Sequence, residues 1–600
     1  MRNNDFYVLW RSSLTVKKHN QILFLGLLFL LQAATDVLGV SAIVPLIAVI
    51  SDNRLIYENF YLNWLYSNLG FNEAIHFIFF LAFLLFSCVL ASNVLRGLTA
   101  FKSYKFAYEL EAQIGTKLIA TYLAKDYLDI IKSNVAEFNK NILAESGQVV
   151  KGVFLASIQL VSQLILLLSL VVLLLFVDFK ITLVVGICFL TFTYIMFVFS
   201  KPRLLAASQR RVLANAERFR SVKETFEGIK TVKHSNLEAY YINWFKSPAN
   251  RYSKEQIFTA TLAALPKFIL ETYAVGCILV LMFFLYSQQG GLVEALPIIS
   301  VYAFAVYRLL PAVQQIFHCI ATINAAQASL SVILDDTISE LRDNAVQPYR
   351  KSRSSFKNIQ MLDVSFSYPG GDGQKSVRSV SLSVPSNSMV GFVGRSGSGK
   401  TTTADILLGL IKPSSGKVLV DGLEVSASEQ REPKILSSYV PQDIFVAHDS
   451  LIANIALGVA EEDVDVNHVI SCVQSAQLEQ FVEHELENGL ATVLGDKGVR
   501  LSGGQRQRLG IARALYRDPN LIVMDEATNA LDSITESDLL RSVQKLENKM
   551  SILMIAHRME TVRACDIIYV FDNGAVISSG TFGELMKTCE HFKKLVEAGS

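Results

Sequence analysis

The chain has 600 residues, of which 51% are hydrophobic, and a mean hydropathy of +0.36. This is too apolar for an ordinary soluble enzyme and indicates that part of the chain lies in a lipid bilayer. Its 55 basic and 54 acidic residues leave a net charge of +1, so no overall positive field favours nucleic acid as a partner. The seven cysteines lack the spacing of a metal site or a disulfide framework, and we expect reduced, buried thiols.

The first twenty residues mix aromatic and basic side chains, among them Phe6, Trp10, Arg11 and Lys17. This composition predicts a short helix over residues 1–20 that lies along the cytoplasmic surface of the membrane. A disordered basic tail is the alternative.

Six apolar segments follow, each long enough to cross about 30 Å of hydrocarbon. We place them at residues 21–50, 74–99, 153–177, 180–200, 258–286 and 293–320, within a membrane domain of residues 21–333. Lysines and arginines concentrate in the two long connections, after the second and the fourth segments, while the opposite loops carry almost none. The positive-inside rule therefore predicts that both long connections, both termini and the second half of the chain are cytoplasmic.

The connections between these segments also have recognisable patterns. Residues 101–123 and 213–245 keep helical apolar spacing without proline, which predicts helices that continue beyond the membrane. The outer loop, residues 51–72, is rich in aromatic side chains. We expect it to form a small external helix anchored at the bilayer interface, with a contact to a transported molecule as the alternative.

Charged side chains within the apolar segments are costly and therefore functional candidates. Lys267 and Glu271 are four residues apart and can form a helical ion pair, and we expect Arg96 to extend to the cytoplasmic edge of the membrane. Arg308 has no partner close in sequence and lies midway through the last segment. An arginine facing an internal cavity suits a phosphate or carboxylate, so Arg308 is a candidate substrate contact. A structural ion pair with Asp36 or with another segment is the alternative.

A polar linker, residues 334–355, separates the membrane domain from a second domain of residues 356–600. This domain contains the sequence GFVGRSGSGKTT from Gly391 to Thr402, between an apolar run and an amphipathic run. A glycine-rich loop between a strand and a helix is the arrangement of a phosphate-binding loop. In such a loop, backbone N–H groups surround the phosphates of a nucleotide. Lysine reaches the β- and γ-phosphates, and the following hydroxyl binds Mg²⁺. The predicted loop residues are Gly394, Arg395, Ser396, Gly397, Ser398, Gly399, Lys400, Thr401 and Thr402.

A buried-strand pattern over residues 521–524 ends in Asp525 and Glu526. A phosphate-loop ATPase needs acids at such a strand end, because phosphoryl transfer depends on positioning and charge stabilisation. We expect Asp525 to bind Mg²⁺ through water and Glu526 to polarise the attacking water. Two acids after a strand also commonly cap the next helix, but the phosphate-binding loop favours the catalytic interpretation.

Between these two motifs the chain reads LSGGQRQRLGIARAL from Leu501, and here it closely resembles the ATP-binding-cassette family. The resemblance implies that Tyr368 stacks on adenine, that Gln442 contacts Mg²⁺ and the membrane domain, and that His557 is the switch histidine. It further implies that the signature residues clamp the γ-phosphate of a nucleotide held by a second subunit; these residues are Ser502, Gly503, Gly504 and Gln505. Asp532 matches the loop after the catalytic strand, although Asn529 stands where the family usually has serine.

Six membrane segments followed by one cassette resemble the exporters of this family. The resemblance implies a type I exporter-like helical membrane domain fused to an α/β cassette with a helical subdomain. It also implies short transverse helices near residues 126–134 and 224–230, ATP and Mg²⁺ as cofactors, and a homodimer or heterodimer of half-transporters. A soluble cassette ATPase of DNA repair is excluded, because six apolar segments precede the cassette.

The sequence indicates the identity of the transported substrate less specifically than it indicates the cassette. The aromatic outer loop and the sequence from Tyr307 to Pro311 resemble bacterial flippases of lipid-linked oligosaccharides and related lipid exporters of the inner membrane. Peptide and drug exporters share this architecture and remain alternatives. An ATP-gated channel or sensor that does not pump is an alternative of another class.

Overall fold

The computed structural model describes residues 16–289, 292–338, 355–369, 376–425, 436–495, 501–526, 550–556 and 559–599. It divides the chain into two compact units. The membrane unit comprises Met1–Lys125 and Asp129–Val346, and the cassette comprises Asp126–Leu128 and Gln347–Ser600. Residues 1–15 of the surface helix predicted for residues 1–20 and most of the predicted linker lie outside the described residues, and residues 16–20 belong to the first long helix.

The membrane unit is built from long helices. In chain order they are α1 (Val16–Ser41), α2 (Ile43–Ser51), α3 (Leu55–Glu58), α4 (Phe60–Asn68), α5 (Ala74–Leu123), α6 (Tyr127–Lys132), α7 (Val135–Val177), α8 (Phe179–Glu227), α9 (Ile229–His234), α10 (Glu238–Gln289) and α11 (Leu292–Ile338). Helix α7 includes π-helical turns at Lys140–Glu145 and Val150–Leu155.

Within the described residues, five helical stretches are long and apolar enough to cross a membrane: Lys18–Ser51, Ala74–Leu123, Val135–Val177, Glu238–Val280 and Ile299–Asp336. These contain or overlap five of the six predicted segments. The remaining one, residues 180–200, lies in α8, where several side chains fall outside the described part of the structure.

The predicted extensions are present, with one correction. Helix α5 continues without a break to Leu123, and α6 follows at the first predicted transverse segment. The second transverse helix was predicted at residues 224–230, but α8 continues to Glu227 and the short helix α9 begins only at Ile229. Gly228 separates them with φ −90° and ψ 14°. The helical apolar spacing on both sides of this glycine concealed the break.

The outer loop forms the short helices α3 and α4, as expected. Asn59 caps α4, because its side chain accepts hydrogen bonds from the backbone of Tyr61 and Leu62. Tyr66 is buried against Phe77, whereas other aromatic side chains of this loop are exposed. A buried aromatic anchor with exposed aromatic neighbours suits a position at the bilayer interface.

The cassette contains two sheets. Their strands are β1 (Asn358–Phe366), β2 (Val377–Pro385), β3 (Met389–Gly394), β4 (Ser415–Val420), β5 (Leu423–Glu424), β6 (Ser437–Val440), β7 (Leu521–Asp525), β8 (Ser551–Ile555), β9 (Ile567–Asp572) and β10 (Ala575–Gly580). One sheet has the order β2-β1-β4-β5 and is antiparallel; the other has the order β10-β9-β3-β8-β7-β6 and is parallel except for β10.

Helices cover the parallel sheet. They are α12 (Lys400–Leu407), α13 (Leu451–Ile455), α14 (Val466–Ser475), α15 (Glu479–His484), α16 (Gly503–Tyr516), α17 (Met559–Val562), α18 (Phe582–Thr588) and α19 (Glu590–Gly599), with 3₁₀ turns at Glu461–Asp463 and Gly489–Ala491. Strands β3, β7 and β8 are buried along their whole length, because a parallel sheet covered on both faces needs continuous apolar strands. Their carboxyl ends meet at one edge, where the phosphate-binding loop and the acidic pair begin.

Candidate functional site

The phosphate-binding loop follows β3 and leads into α12, as predicted. Gly397 and Gly399 have φ of 77° and 98°, in the left-handed region that favours glycine. Lys400 Nζ donates to the carbonyl oxygens of Gly394 and Arg395 at 2.8 and 3.0 Å, so the loop curls around the ammonium group. Burial lowers the pKa of Lys400, while Glu526 and Asp525 oppose that shift.

The loop borders a cavity of about 370 Å³. Eight predicted nucleotide-binding residues line it, together with the predicted catalytic residue Glu526; the eight are Tyr368, Ser396, Gly397, Ser398, Gly399, Lys400, Thr401 and Thr402. The Tyr368 hydroxyl lies 3.3 Å from Thr402 Oγ1, and the residue is 40% exposed. An aromatic face therefore stands beside the phosphate-binding loop, where the resemblance places adenine.

Gly399→Ala is expected to weaken nucleotide binding at least tenfold. A Cβ at this position would lie 2.5 Å from the carbonyl oxygen of Ser376, and the backbone has φ 98°, so the loop must shift as well as bear strain of about 1–3 kcal/mol. Gly422→Ala is the matched control, because Gly422 has φ 79° but open space around it. Binding of a fluorescent ATP analogue measures the difference, and equal affinities of the two variants would contradict this account.

The acidic pair lies at the end of β7. Asp525 accepts a hydrogen bond from the Tyr439 hydroxyl at 3.3 Å, and its pKa is raised by burial, an effect that hydrogen bonds from Tyr439 and Thr401 oppose. Glu526 Oε2 accepts a hydrogen bond from Gln442 Nε2 at 2.8 Å. The structure thus brings Glu526 and Gln442 of the predicted catalytic set close to Asp525. Thr401, Asp525 and Gln442 offer the oxygen ligands that Mg²⁺ prefers.

The signature residues form the start of α16. Ser502 Oγ accepts from the Gln505 backbone N–H, and Gln505 Oε1 accepts from the Ser502 backbone N–H, which completes a capping box. The described residues that line the nucleotide cavity do not include Ser502, Gly503, Gly504 or Gln505. Their predicted contact with the nucleotide of a second subunit therefore stays a prediction.

Sequence reasoning missed several residues of this site. The cavity is also lined by Ser376, which precedes β2, by Arg378 of β2, and by Asn573 and Gly574 of the β9–β10 turn. The asparagine–glycine pair was a visible turn signal, but only the sheet order brings that turn beside the loop. Asp532 and His557 lie outside the described residues.

A second candidate site lies in the membrane unit. A cavity of about 320 Å³ is lined by Arg308 and by polar side chains of several helices, including Gln32, Arg96, Gln159 and Gln315. Arg308 Nη1 lies 3.3 Å from Asp36 Oδ1, so the ion pair given as the alternative to a substrate contact is present. The same arginine lines the cavity, and its contact with a substrate stays a prediction. The expectation for Arg96 was wrong. It pairs with Asp36 at 2.9 Å instead of extending to the cytoplasmic edge, because a buried carboxylate on a neighbouring helix offers it a partner.

Lys267 and Glu271 form the predicted helical pair at 4.0 Å. Both side chains are about half exposed, and neither lines the cavity. They therefore provide a charged reference pair within the same unit.

A phosphate-loop ATPase joined to a bundle of membrane-crossing helices defines an ATP-driven membrane transporter. Residues 22–307 match the ABC transporter transmembrane region, and residues 377–529 match the ABC transporter ATP-binding model. The chain belongs to the ABC transporter family, as a multi-pass membrane protein whose ATPase activity is coupled to transport.

Individual relatives agree with this assignment. The chain is 29% identical over 459 residues to an ATP-dependent lipid A-core flippase of Cupriavidus pinatubonensis, covering 76% of each chain. It is 30% identical over 382 residues to the heterocyst differentiation ATP-binding protein HepA of a Nostoc species, covering 62% of this chain and 60% of the relative. Its fold matches the structure of a bacterial Atm1-family ABC exporter with ATP bound, with a TM-score of 0.79, 19% identity and coverage of 97% and 98%. The fold is that of a type I ABC exporter.

Proposed function

We propose that this protein uses ATP to flip or export an amphipathic lipid with an anionic head group, such as a lipid-linked oligosaccharide or a related lipid. The observation that carries this proposal is the polar cavity of the membrane unit, where two arginines lie among amide side chains. Arginine is suited to phosphate and carboxylate groups. The relatives named lipid A-core flippases support a lipid substrate.

We assign the ATP-site roles as the motifs predict. Lys400 and the surrounding loop hold the phosphates of ATP, Tyr368 supports the adenine, and Glu526 is the general base for the attacking water. Gln442 holds the Glu526 carboxylate in place at 2.8 Å. Bound Mg²⁺ would neutralise phosphate charge, held by Thr401, Asp525 and Gln442. Asp532 and His557 complete the proposed set.

The signature residues require a second subunit. We assign Ser502, Gly503, Gly504 and Gln505 to the γ-phosphate of the partner's ATP, in a homodimer with two equivalent sites or in a heterodimer. ATP binding would close the two cassettes together, and hydrolysis would separate them. We place both termini and the cassettes on the cytoplasmic side of a bacterial inner membrane, because the basic residues concentrate in the long connections.

ATP hydrolysis by the protein in liposomes tests the substrate class. A polyprenyl-diphosphate oligosaccharide is expected to stimulate hydrolysis several-fold, and Arg308→Ala is expected to abolish that stimulation, because the cavity loses its buried cation. Lys267→Ala is the matched control, since it removes a membrane-unit cation that does not line the cavity. Stimulation by peptides or amphiphilic drugs instead of the lipid would favour the alternative exporters and overturn the lipid assignment.

A further inference from the structure

The carboxylate of Asp36 on α1 is almost fully buried, with 1% of its surface exposed, and it contacts three side chains unequally. Arg96 Nη2, from α5, lies 3.0 Å from Oδ1 and 2.9 Å from Oδ2. Ser92 Oγ, one turn earlier on α5, donates to Oδ1 at 2.6 Å. Arg308 Nη1, from α11, reaches the same oxygen only at 3.3 Å. Asp36 is therefore held closely by α5 and more loosely by Arg308.

The two arginines keep unused hydrogen-bonding capacity. Within the described part of the chain, the buried Nε atoms of Arg96 and Arg308 have no hydrogen-bond partner. Both side chains line the cavity, and Arg308 is only 7% exposed. A buried donor without a partner is costly, and so is a buried charge without a counter-charge. Two guanidinium groups against one carboxylate leave one positive charge that the cluster does not neutralise.

The rest of the cavity wall is suited to an oxygen-rich group. Four glutamines line it, namely Gln32, Gln159, Gln163 and Gln315. Each amide both donates and accepts hydrogen bonds, so these side chains can bind hydroxyl and ester oxygens around an anion. The cavity thus combines one excess positive charge with hydrogen-bonding amide side chains.

We propose that Asp36 is a resident counter-ion and that the anionic head group of the transported lipid displaces it from Arg308. This inference rests on the proposed function. The anion pairs with the Arg308 guanidinium, while Asp36 stays with Arg96 and Ser92 on α5. The exchange removes an ionic tie between α11 and α1. Occupancy of the cavity then loosens α11, the last described helix of the membrane unit, which continues to Ile338.

Equilibrium binding without ATP tests this exchange separately from transport. The probe is radiolabelled dodecyl phosphate, added to the purified full-length protein in phosphatidylcholine nanodiscs. Arg308→Ala is expected to weaken binding about tenfold, because the cation is lost. Asp36→Asn is expected to tighten binding about fivefold, because the competing carboxylate is removed while the side-chain shape is kept. A purely structural Asp36 would instead give the two variants changes in the same direction, which would overturn the proposal.

A third variant covers the case in which Asp36→Asn does not fold. Ser92→Ala removes the 2.6 Å hydrogen bond to Asp36 Oδ1. Because this oxygen can then hold Arg308 more tightly, we expect the binding of dodecyl phosphate to weaken about threefold. Tighter or unchanged binding by Ser92→Ala would contradict the competition.

Two further ligands identify the occupant. Dodecyl phosphocholine carries the same chain without net negative charge and is expected to compete poorly. Inorganic phosphate is expected to compete only at far higher concentration than dodecyl phosphate. Equal competition by the two would show that the cavity binds a free anion and not a lipid head group. If binding follows these expectations but no lipid moves on ATP addition, the counter-ion exchange stands and the proposed transport function fails.

Discussion

Glu526→Gln is expected to bind ATP with near-normal affinity and to hydrolyse it at least about a hundredfold more slowly, the scale of effect of losing a general base. Glutamine keeps the size of the side chain and can still bond to Gln442, whose Nε2 lies 2.8 Å from Glu526 Oε2. It cannot take a proton from the attacking water. Phosphate release and ATP retention, measured on the same sample, separate hydrolysis from binding.

Glu424→Gln is the matched control for this variant. Glu424 pairs with Lys417 on the surface, with its side chain 51% exposed, so the same chemical change there is expected to leave hydrolysis near the wild-type rate. Hydrolysis by Glu526→Gln at more than a tenth of the wild-type rate would contradict the assignment of Glu526 as the base.

The second large effect concerns the proposal that two subunits share each ATP site. Lys400→Ala removes the phosphate-binding ammonium group, and Gly504→Asp places a negative charge in the signature, so each variant alone is expected to be inactive. Mixed dimers of the two are expected to regain activity. In a head-to-tail dimer, one site then combines an intact loop from one chain with an intact signature from the other. If equal amounts of the two variants mix at random in a symmetric dimer and the two sites work independently, we expect recovery of about a quarter of wild-type hydrolysis.

Two different affinity tags allow mixed dimers to be isolated, so their formation is measured separately from their activity. Isolated mixed dimers that remain as inactive as the parent variants would contradict the proposal that each ATP site is shared between two subunits. Gly504 lies in the first turn of α16, between the capping-box residues Ser502 and Gln505. Thermal unfolding of Gly504→Asp therefore checks that the cassette of this variant still folds.

The arrangement of the candidate ATP site was largely predictable from sequence, because its motifs are local. The glycines, Lys400 and the acidic pair each follow directly from a strand end, and buried strands are recognisable from their continuous apolar runs. What sequence could not supply was the set of neighbours that the sheet brings in. Arg378 and Asn573 reach the cavity only because β2 and the β9–β10 turn lie beside the loop.

The membrane unit was less predictable for a related reason. Apolar length locates a helix but not the direction in which a charged residue faces. Arg96 and Asp36 are sixty residues apart in sequence, so nothing local distinguishes an arginine at the membrane edge from one that pairs with a buried carboxylate. The second transverse helix was predicted a few residues too early, because helical apolar spacing continues through Gly228.

The most direct test of the central claim is ATP-dependent movement of a fluorescent polyprenyl-diphosphate oligosaccharide across sealed proteoliposomes whose cassettes face outward. Mg²⁺ and ATP are expected to make the head group inaccessible to a membrane-impermeant quencher, and Glu526→Gln is expected to prevent this. Hydrolysis of ATP at the full wild-type rate without any such movement, for this lipid and for other anionic lipids, would contradict this claim.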